Sequence, residues 1–591
     1  MTDGDKPTQA AKISFKGGVK AIVSAMRRFP SCVSLQQEAA GALANLCRLN
    51  LMARSQVGDD GIADVMLAMR FLSDDVGTQV AGCKVICAVI GALEEDGLVK
   101  LDDDDDEMQN EDKVWNDDSK NKSDKEKKLE KAKATIADDL RDRDMEAAKA
   151  QLAAYKRASA EDRNVAIKII GNAISVIVEA QKKHASSPKL LALAGQAIYG
   201  FCRHNLIDAL VDAIPGLCNG LKVMLNITND QEPNANVADA LRFSIAALSH
   251  LGKHTELRER MADENNAAHK STARVVQRNY LWMKKIFKLD MKRVGQLNED
   301  DTKRRILLDQ SDAVGEKPET DSKSDYKLKP RLHELGSWTA RLMAELTDCI
   351  DSQVRSAMVR VSFESFLNSM ALCSLQSFEP RDALTPSHVP DQRDAAVAFL
   401  GDALRTTSLM LFSVVDPSTG YGHYCHMDDL RPVLQAMRRF PKSSKIALWG
   451  CTILKDVSVT HANLVKIGKL GGTEAITLIM MQHLEKSEVQ LRGLRALYSL
   501  LAEEKASVDL AVSCGLEEHL VNVLKLHLHV PEIRSLASQE LKIIDYNYIE
   551  LLHDNVESIT NQLDHVRLEL DECSDKAGNF FDQSATPYKK K

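Results

Sequence analysis

The chain has 591 residues, with 29 glycines, 15 prolines and 5% aromatics, the first two well under their combined average of roughly 12%. So few chain breakers exclude a sandwich, barrel or propeller, which needs a turn every few residues, and 44% hydrophobic residues exclude a wholly disordered chain. The net charge of −8 has one source: between Asp102 and Asp118 ten acids face the single base Lys113, so the remainder is close to neutral. That balance argues against a nucleic-acid binder, which would carry a broadly basic surface.

The opening Met-Thr-Asp-Gly-Asp-Lys has no apolar signal core. The apolar window Ala395–Val415 carries Asp402 and Arg405, which a membrane span rarely places at mid-bilayer. With twelve cysteines in no regular framework, the expectation is a cytoplasmic protein with reduced thiols and no membrane span, nuclear or cytoskeletal association being left open.

In chain order, residues 1–93 predict amphipathic helical repeats. Residues 94–162 predict an acidic disordered loop followed by a charged helix. Residues 163–309 predict divergent helices, and within them Lys270–Arg293 carries eight bases and one acid interleaved with apolar residues. On a helix Trp282, Ile286 and Met291 have 1-5-10 anchor spacing beside Lys284 and Lys285, which resembles a calmodulin target. The bland alternative is an internal helix whose lysines snorkel around buried aromatics.

Residues 310–330, rich in Ser, Asp and Lys, predict a flexible linker dividing two lobes. Residues 331–545 predict further helical repeats. His423, Cys425, His426, Asp428 and Asp429 are metal-capable but wrongly spaced for structural zinc, so a connecting loop is expected. Cys83 and Cys87 read as small core hydrophobes, and His527 and His529 as solvent-facing caps. In residues 546–572, Ile549, Leu552, Val556, Ile559, Leu563, Val566 and Leu570 are spaced 3,4,3,4,3,4, a heptad seam for a homodimer, a partner helix or a terminal cap. Residues 573–591 predict a disordered tail.

An internal repeat ties the ends together. Ala-Met-Arg-Arg-Phe-Pro occurs at Ala25–Pro30 and Ala436–Pro441. Met26 and Met69, like Met437 and Met480, are separated by 43 residues. Thirteen residues after each comes Ala39, Gly82, Gly450 or Gly493, and seventeen after each comes Leu43, Ile86, Leu454 or Leu497. Eight before each lies Gly18, Gly61, Asp429 or Gly472, with Gly515 a further 43 beyond Gly472. The spacing predicts glycine turns at Gly61 and Gly472, a Met in each core, and a small residue where two helices approach closely.

Ser34-Leu-Gln-Gln-Glu-Ala-Ala-Gly-Ala-Leu-Ala-Asn-Leu46 after Gly17-Gly-Val-Lys-Ala-Ile22 resembles an armadillo repeat. So does Glu488–Leu500 after Gly471–Ile476, while Leu191–Phe201 and Ala238–Leu251 match weakly. The resemblance implies an all-α, armadillo-type α-solenoid superhelix binding extended protein segments along a concave face. Arg27, Asn45 and Arg438 are then partner-binding candidates. The Trp-then-Asn pair of importin-like arrays is not intact: Asn45 follows Gly41 by four, and Trp449 precedes Ile453 by four.

No phosphate-binding loop, dinucleotide fingerprint, His-Glu-x-x-His or Gly-x-Ser-x-Gly occurs. The expectation is therefore a non-enzymatic scaffold or adaptor without a cofactor. A calcium/calmodulin-linked regulatory module is the alternative, and a nuclear transport receptor ranks third.

Overall fold

The structure, a computed structural model, describes residues 5–92, 167, 169, 171–227, 234–263, 267–286, 323–347, 352–375, 392–413, 430–503 and 505–545, with single positions at 565, 566 and 568. The described residues are helical and contain no strand. The chain divides into two compact units, Met1–Val415 and Asp416–Lys591.

In the first unit, Asp5–Phe15, Gly18–Arg28 and Val33–Leu49 form a first triple of helices. Leu51–Gln56, Ile62–Phe71 and Val76–Val89 form a second. The Asp416–Lys591 unit continues the same order with His461–Lys469, Gly472–Gln482 and Ser487–Glu503, then Lys505–Ser513, Leu516–Leu526 and 531–545. Each triple runs from a shorter leading pair into a long closing helix, which is a helical repeat in coordinates.

The 43-residue frame reads directly as packing. Met26, Met69, Met437 and Met480 are at most 2% exposed, and Leu43, Ile86, Leu454 and Leu497 at most 1%. The small residue thirteen positions later lies against the Met of its own repeat. A Cβ on Gly450 would stand 2.7 Å from Met437, one on Gly493 2.5 Å from Met480, and one on Gly82 would collide with Met69. Glycine is needed at these positions so that the thioether can occupy the gap between helices.

The predicted turn at Gly61 is corrected. Residues 51–71 run as one helical path, and Gly61 closes a π-helical turn, Val57–Gly61, without reversing the chain. Its missing side chain serves contact instead, since a Cβ would lie 2.9 Å from Val23. Left-handed backbone occurs one residue before the frame glycine at Gly17 (φ 80°) and Gly471 (φ 72°), and at Gly515 itself (φ 79°). There glycine avoids the clash that a Cβ makes at positive φ.

The proposed division at residues 310–330 is also corrected. Lys323–Thr347 is a helix that begins inside that stretch and includes Pro330. Leu328, Leu332, Leu335 and Trp338 are buried on it. It packs on Ala235–Gly252, so the first unit continues through it to residue 415. Composition misled here because the polar residues 310–322 precede apolar positions that recur every three or four residues.

A fully buried Arg242 on Ala235–Gly252 pairs with the fully buried Glu334 on Lys323–Thr347. Asp239 joins the cluster, 3.1 Å from Arg242 and 3.3 Å from Arg331. Farther along, Asp402 of Gln392–Ser413 accepts from Arg341 at 2.9 Å and from Ser337. Ion pairs thus fasten Lys323–Thr347 to both Ala235–Gly252 and Gln392–Ser413.

The stretch Ile207–Ile227 is apolar and long enough to cross a membrane, and 56% of its window is buried inside the fold. Cys83 and Cys87 are fully buried thiols; desolvation pushes Cys83 up to about 12 and Cys87 in the same direction, which makes both poor nucleophiles. The acidic run 102–118, residues 423–429, Met291 and the heptad seam lie outside the described residues, except Val566, which is half exposed.

Candidate protein-binding face

Arg27 and Arg438, equivalent in the repeat frame, both reach 33 residues forward. Arg27 donates to the Asp60 carbonyl at 3.2 Å and forms a two-pronged pair with Asp64 at 2.9 Å. Arg438 donates to the carbonyls of Leu470 and Gly471 at 2.5 and 2.9 Å. Each therefore ties its repeat to the start of a helix in the next. The neighbouring arginines repeat as well: Arg28 lies 5.6 Å over Phe29, and Arg439 5.8 Å over Phe440. The hexapeptide ends a helix and staples it to its neighbour.

A glutamine ten residues after the Met does parallel work. The Gln36 amide donates to Met26 and Phe29 carbonyls, Gln79 to Met69 and Leu72, and Gln490 to Met480 and His483, all within 2.7–3.0 Å. Each satisfies two carbonyls left open at a helix C-terminus. Sequence inspection missed these glutamines, although the 43-residue frame marks their positions.

With those residues occupied, the surface left for a partner is on the long closing helices. Ser444–Val457 presents half-buried Trp449 and Asp456 and exposed Lys455. Ser487–Glu503, which packs against it, presents Arg492, Arg495, Tyr498 and Ser499. The helix 531–545 adds Glu532 and Gln539. Arg492 donates to the Thr452 hydroxyl at 3.3 Å, and Arg495 to Glu532 at 2.9 Å, so both guanidiniums bridge adjacent repeats.

Asp456 stands 411 positions after Asn45 and 43 before Ser499, at the same point of the frame. Burial raises its pKa, against the opposing pull of Lys455 and Arg492. One of its oxygens accepts from Lys455 at 3.1 Å, while the other is buried with no hydrogen-bond partner among the described residues. Asn45 itself is exposed. The face thus alternates aromatic surface, guanidinium donors and a carboxylate acceptor, the groups that grip a polypeptide backbone and its side chains.

Later helices of the first unit leave less side-chain surface. Pro188–Arg203 and Ala235–Gly252 are buried around most of their circumference, as are the described side chains of Lys323–Thr347.

The predicted anchor helix is Ala268–Ile286 over its described part. Trp282 (3% exposed) and Met283 (0%) point into the core and Ile286 is half buried, while Lys284 and Lys285 are exposed. Trp282 is therefore unavailable as an anchor in the folded chain. His527 is corrected as well: it is buried and bonds the Leu484 carbonyl at 2.7 Å, whereas His529 is exposed.

No family model matches the chain, and no curated protein matches it. Among solved structures, the crystal structure of an engineered protein is similar at 14% identity and a TM-score of 0.39, covering 89% of this chain and 98% of that one. Nothing functional follows from so loose a likeness. The class that the structure defines is an all-α protein, with a three-helix order recurring in 5–89 and 461–545.

Proposed function

We propose that the chain is an armadillo-type α-solenoid and a non-enzymatic protein-binding scaffold or adaptor. An extended partner segment lies along the concave face made by the long helices of the Asp416–Lys591 unit. The supporting observation is the in-register ladder of Trp449, Asp456, Arg492, Arg495 and Tyr498 on helices that pack together. Aromatic and arginine side chains dominate binding energy at protein interfaces.

Selection of peptides from a random library against the full chain tests this reading. The expected peptides lose at least about tenfold in affinity, roughly 1.4 kcal/mol, when Arg492→Gln and Tyr498→Ala are introduced together, with helical content unchanged. Selected peptides that bind this variant as tightly as wild type would refute the assignment.

A further inference from the structure

The outward side of Ala268–Ile286 was left unused by the reading above, and it belongs to the other compact unit. Val275, Val276, Trp282 and Met283 hold the helix to the core. The opposite side exposes Lys270, Arg274, Gln277, Leu281 and Lys284. At 100° per residue these five fall within about 80° of one another, and they extend about 21 Å along the axis. The helix contains no acidic residue. Arg278 and Lys285 flank the stripe and add to its positive potential.

Two features distinguish this stripe from an ordinary solvated face. Leu281 sits in its middle at 54% exposure, an apolar group ringed by cations. Arg274 is held in place by donation to the Asn226 side chain at 3.2 Å, a neutral partner. The exposed Glu364 of Ser352–Leu375 acts electrostatically on Tyr280 beside the stripe.

We propose that this stripe is a docking surface for an acidic peptide segment of another protein, one that places an apolar side chain over Leu281 between carboxylates on Lys270, Arg274 and Lys284. Charge complementarity selects the acid, and Leu281 selects the apolar residue between acids. An extended segment of about seven residues spans the stripe. A nucleic acid fits less well, because the stripe is narrow, exposes no aromatic ring for base stacking, and belongs to a molecule of net charge −8.

Fluorescence anisotropy on the full chain tests the surface, with a labelled peptide of about ten Asp and Glu residues around a central Leu, and a control in which Asn and Gln replace the acids. The acidic peptide is expected to bind and the control not. Affinity should fall at least about tenfold between roughly 50 and 300 mM salt as the Debye length shortens. Lys270→Glu, Arg274→Glu and Lys284→Glu together should abolish binding with melting unchanged, and Leu281→Ser should weaken it about fivefold, as loss of one apolar contact does.

Equal binding of the control, or unchanged binding to the triple variant, overturns the proposal. So does tighter binding of a single-stranded oligonucleotide of matched charge. Binding that appears only after the acids of 102–118 are changed to Asn and Gln assigns the stripe to this chain's own acidic run, and likewise refutes a partner segment. All four outcomes are independent of the Arg492 and Tyr498 test.

Discussion

Gln490 shows how much one polar side chain carries in a repeat. Its amide nitrogen closes two carbonyls, and its oxygen accepts at 3.1 Å from Nε2 of buried His519, which must therefore carry the proton. Gln490→Leu leaves three buried groups without partners and should cost about 2–4 kcal/mol, read as a lower denaturation midpoint with an unchanged m-value. Two titrating groups in the same unit then oppose one another. Burial lowers His519 from 6.5 to about 4, so its contribution is complete above pH 6.5 and is lost as pH falls toward 4. Burial raises Glu540 well above 4.5, and neither of its oxygens has a partner among the described residues, so its contribution is greatest below 4.5 and is lost as pH rises. Between pH 4.5 and 6.5 the two slopes, each up to about 1.4 kcal/mol per pH unit, offset. His519→Gln should make stability rise on acidification across this window, and Glu540→Gln should make it fall. Parallel urea midpoints of the two variants and wild type over this range would disprove the assignment.

Between helices, the same arginine has different worth in its two settings. Arg438 is partly buried and donates to two main-chain carbonyls, so Arg438→Ala should cost about 1.5–3 kcal/mol. Arg27 has a 61% exposed side chain on a carboxylate, and Arg27→Ala should cost less than Arg438→Ala. Gly471 adds a backbone reason, since its φ of 72° and the adjacent Arg438 guanidinium both oppose a Cβ. Gly471→Ala should destabilise by at least about 1 kcal/mol. Thermal melts of the three variants check the order, and equal losses for Arg27 and Arg438 would remove the argument from burial.

Across the first unit, the Arg242–Glu334 pair joins helices separated in sequence by residues 253–322. Arg242→Met alone leaves a carboxylate buried and should cost about 3–5 kcal/mol, whereas Arg242→Met with Glu334→Met should recover much of that loss, because removing both charges also removes their desolvation cost. A double-mutant cycle gives the coupling directly, and additive losses would show that the pair does not act as a clamp. The cycle also tests the absence of a division at residues 310–330, since it requires Lys323–Thr347 to belong to the same cooperative body as Ala235–Gly252.

The 43-residue frame was legible in the amino-acid sequence because packing imposes it one residue at a time. A Met, a small residue and an aliphatic at fixed offsets must recur wherever the same three helices meet, and all-α structure followed from that period and from the scarcity of breakers. Gln36, Gln79 and Gln490 recur in three of the four units, with Ala447 in the other, and a polar residue inside an apolar pattern resembles surface until the carbonyls it closes are seen. Asp456 was hidden similarly: it shares the frame position of Asn45, but nothing local says that its neighbours bury it. Tertiary structure alone decided that Trp282 faces inward, that Gly61 continues a helix, and that the stretch 310–330 runs into a core helix. Local composition sets propensity, but which side of a helix meets water depends on distant segments, and Leu328 to Trp338 become core because Ala235–Gly252, Ala268–Ile286 and Gln392–Ser413 pack on their helix.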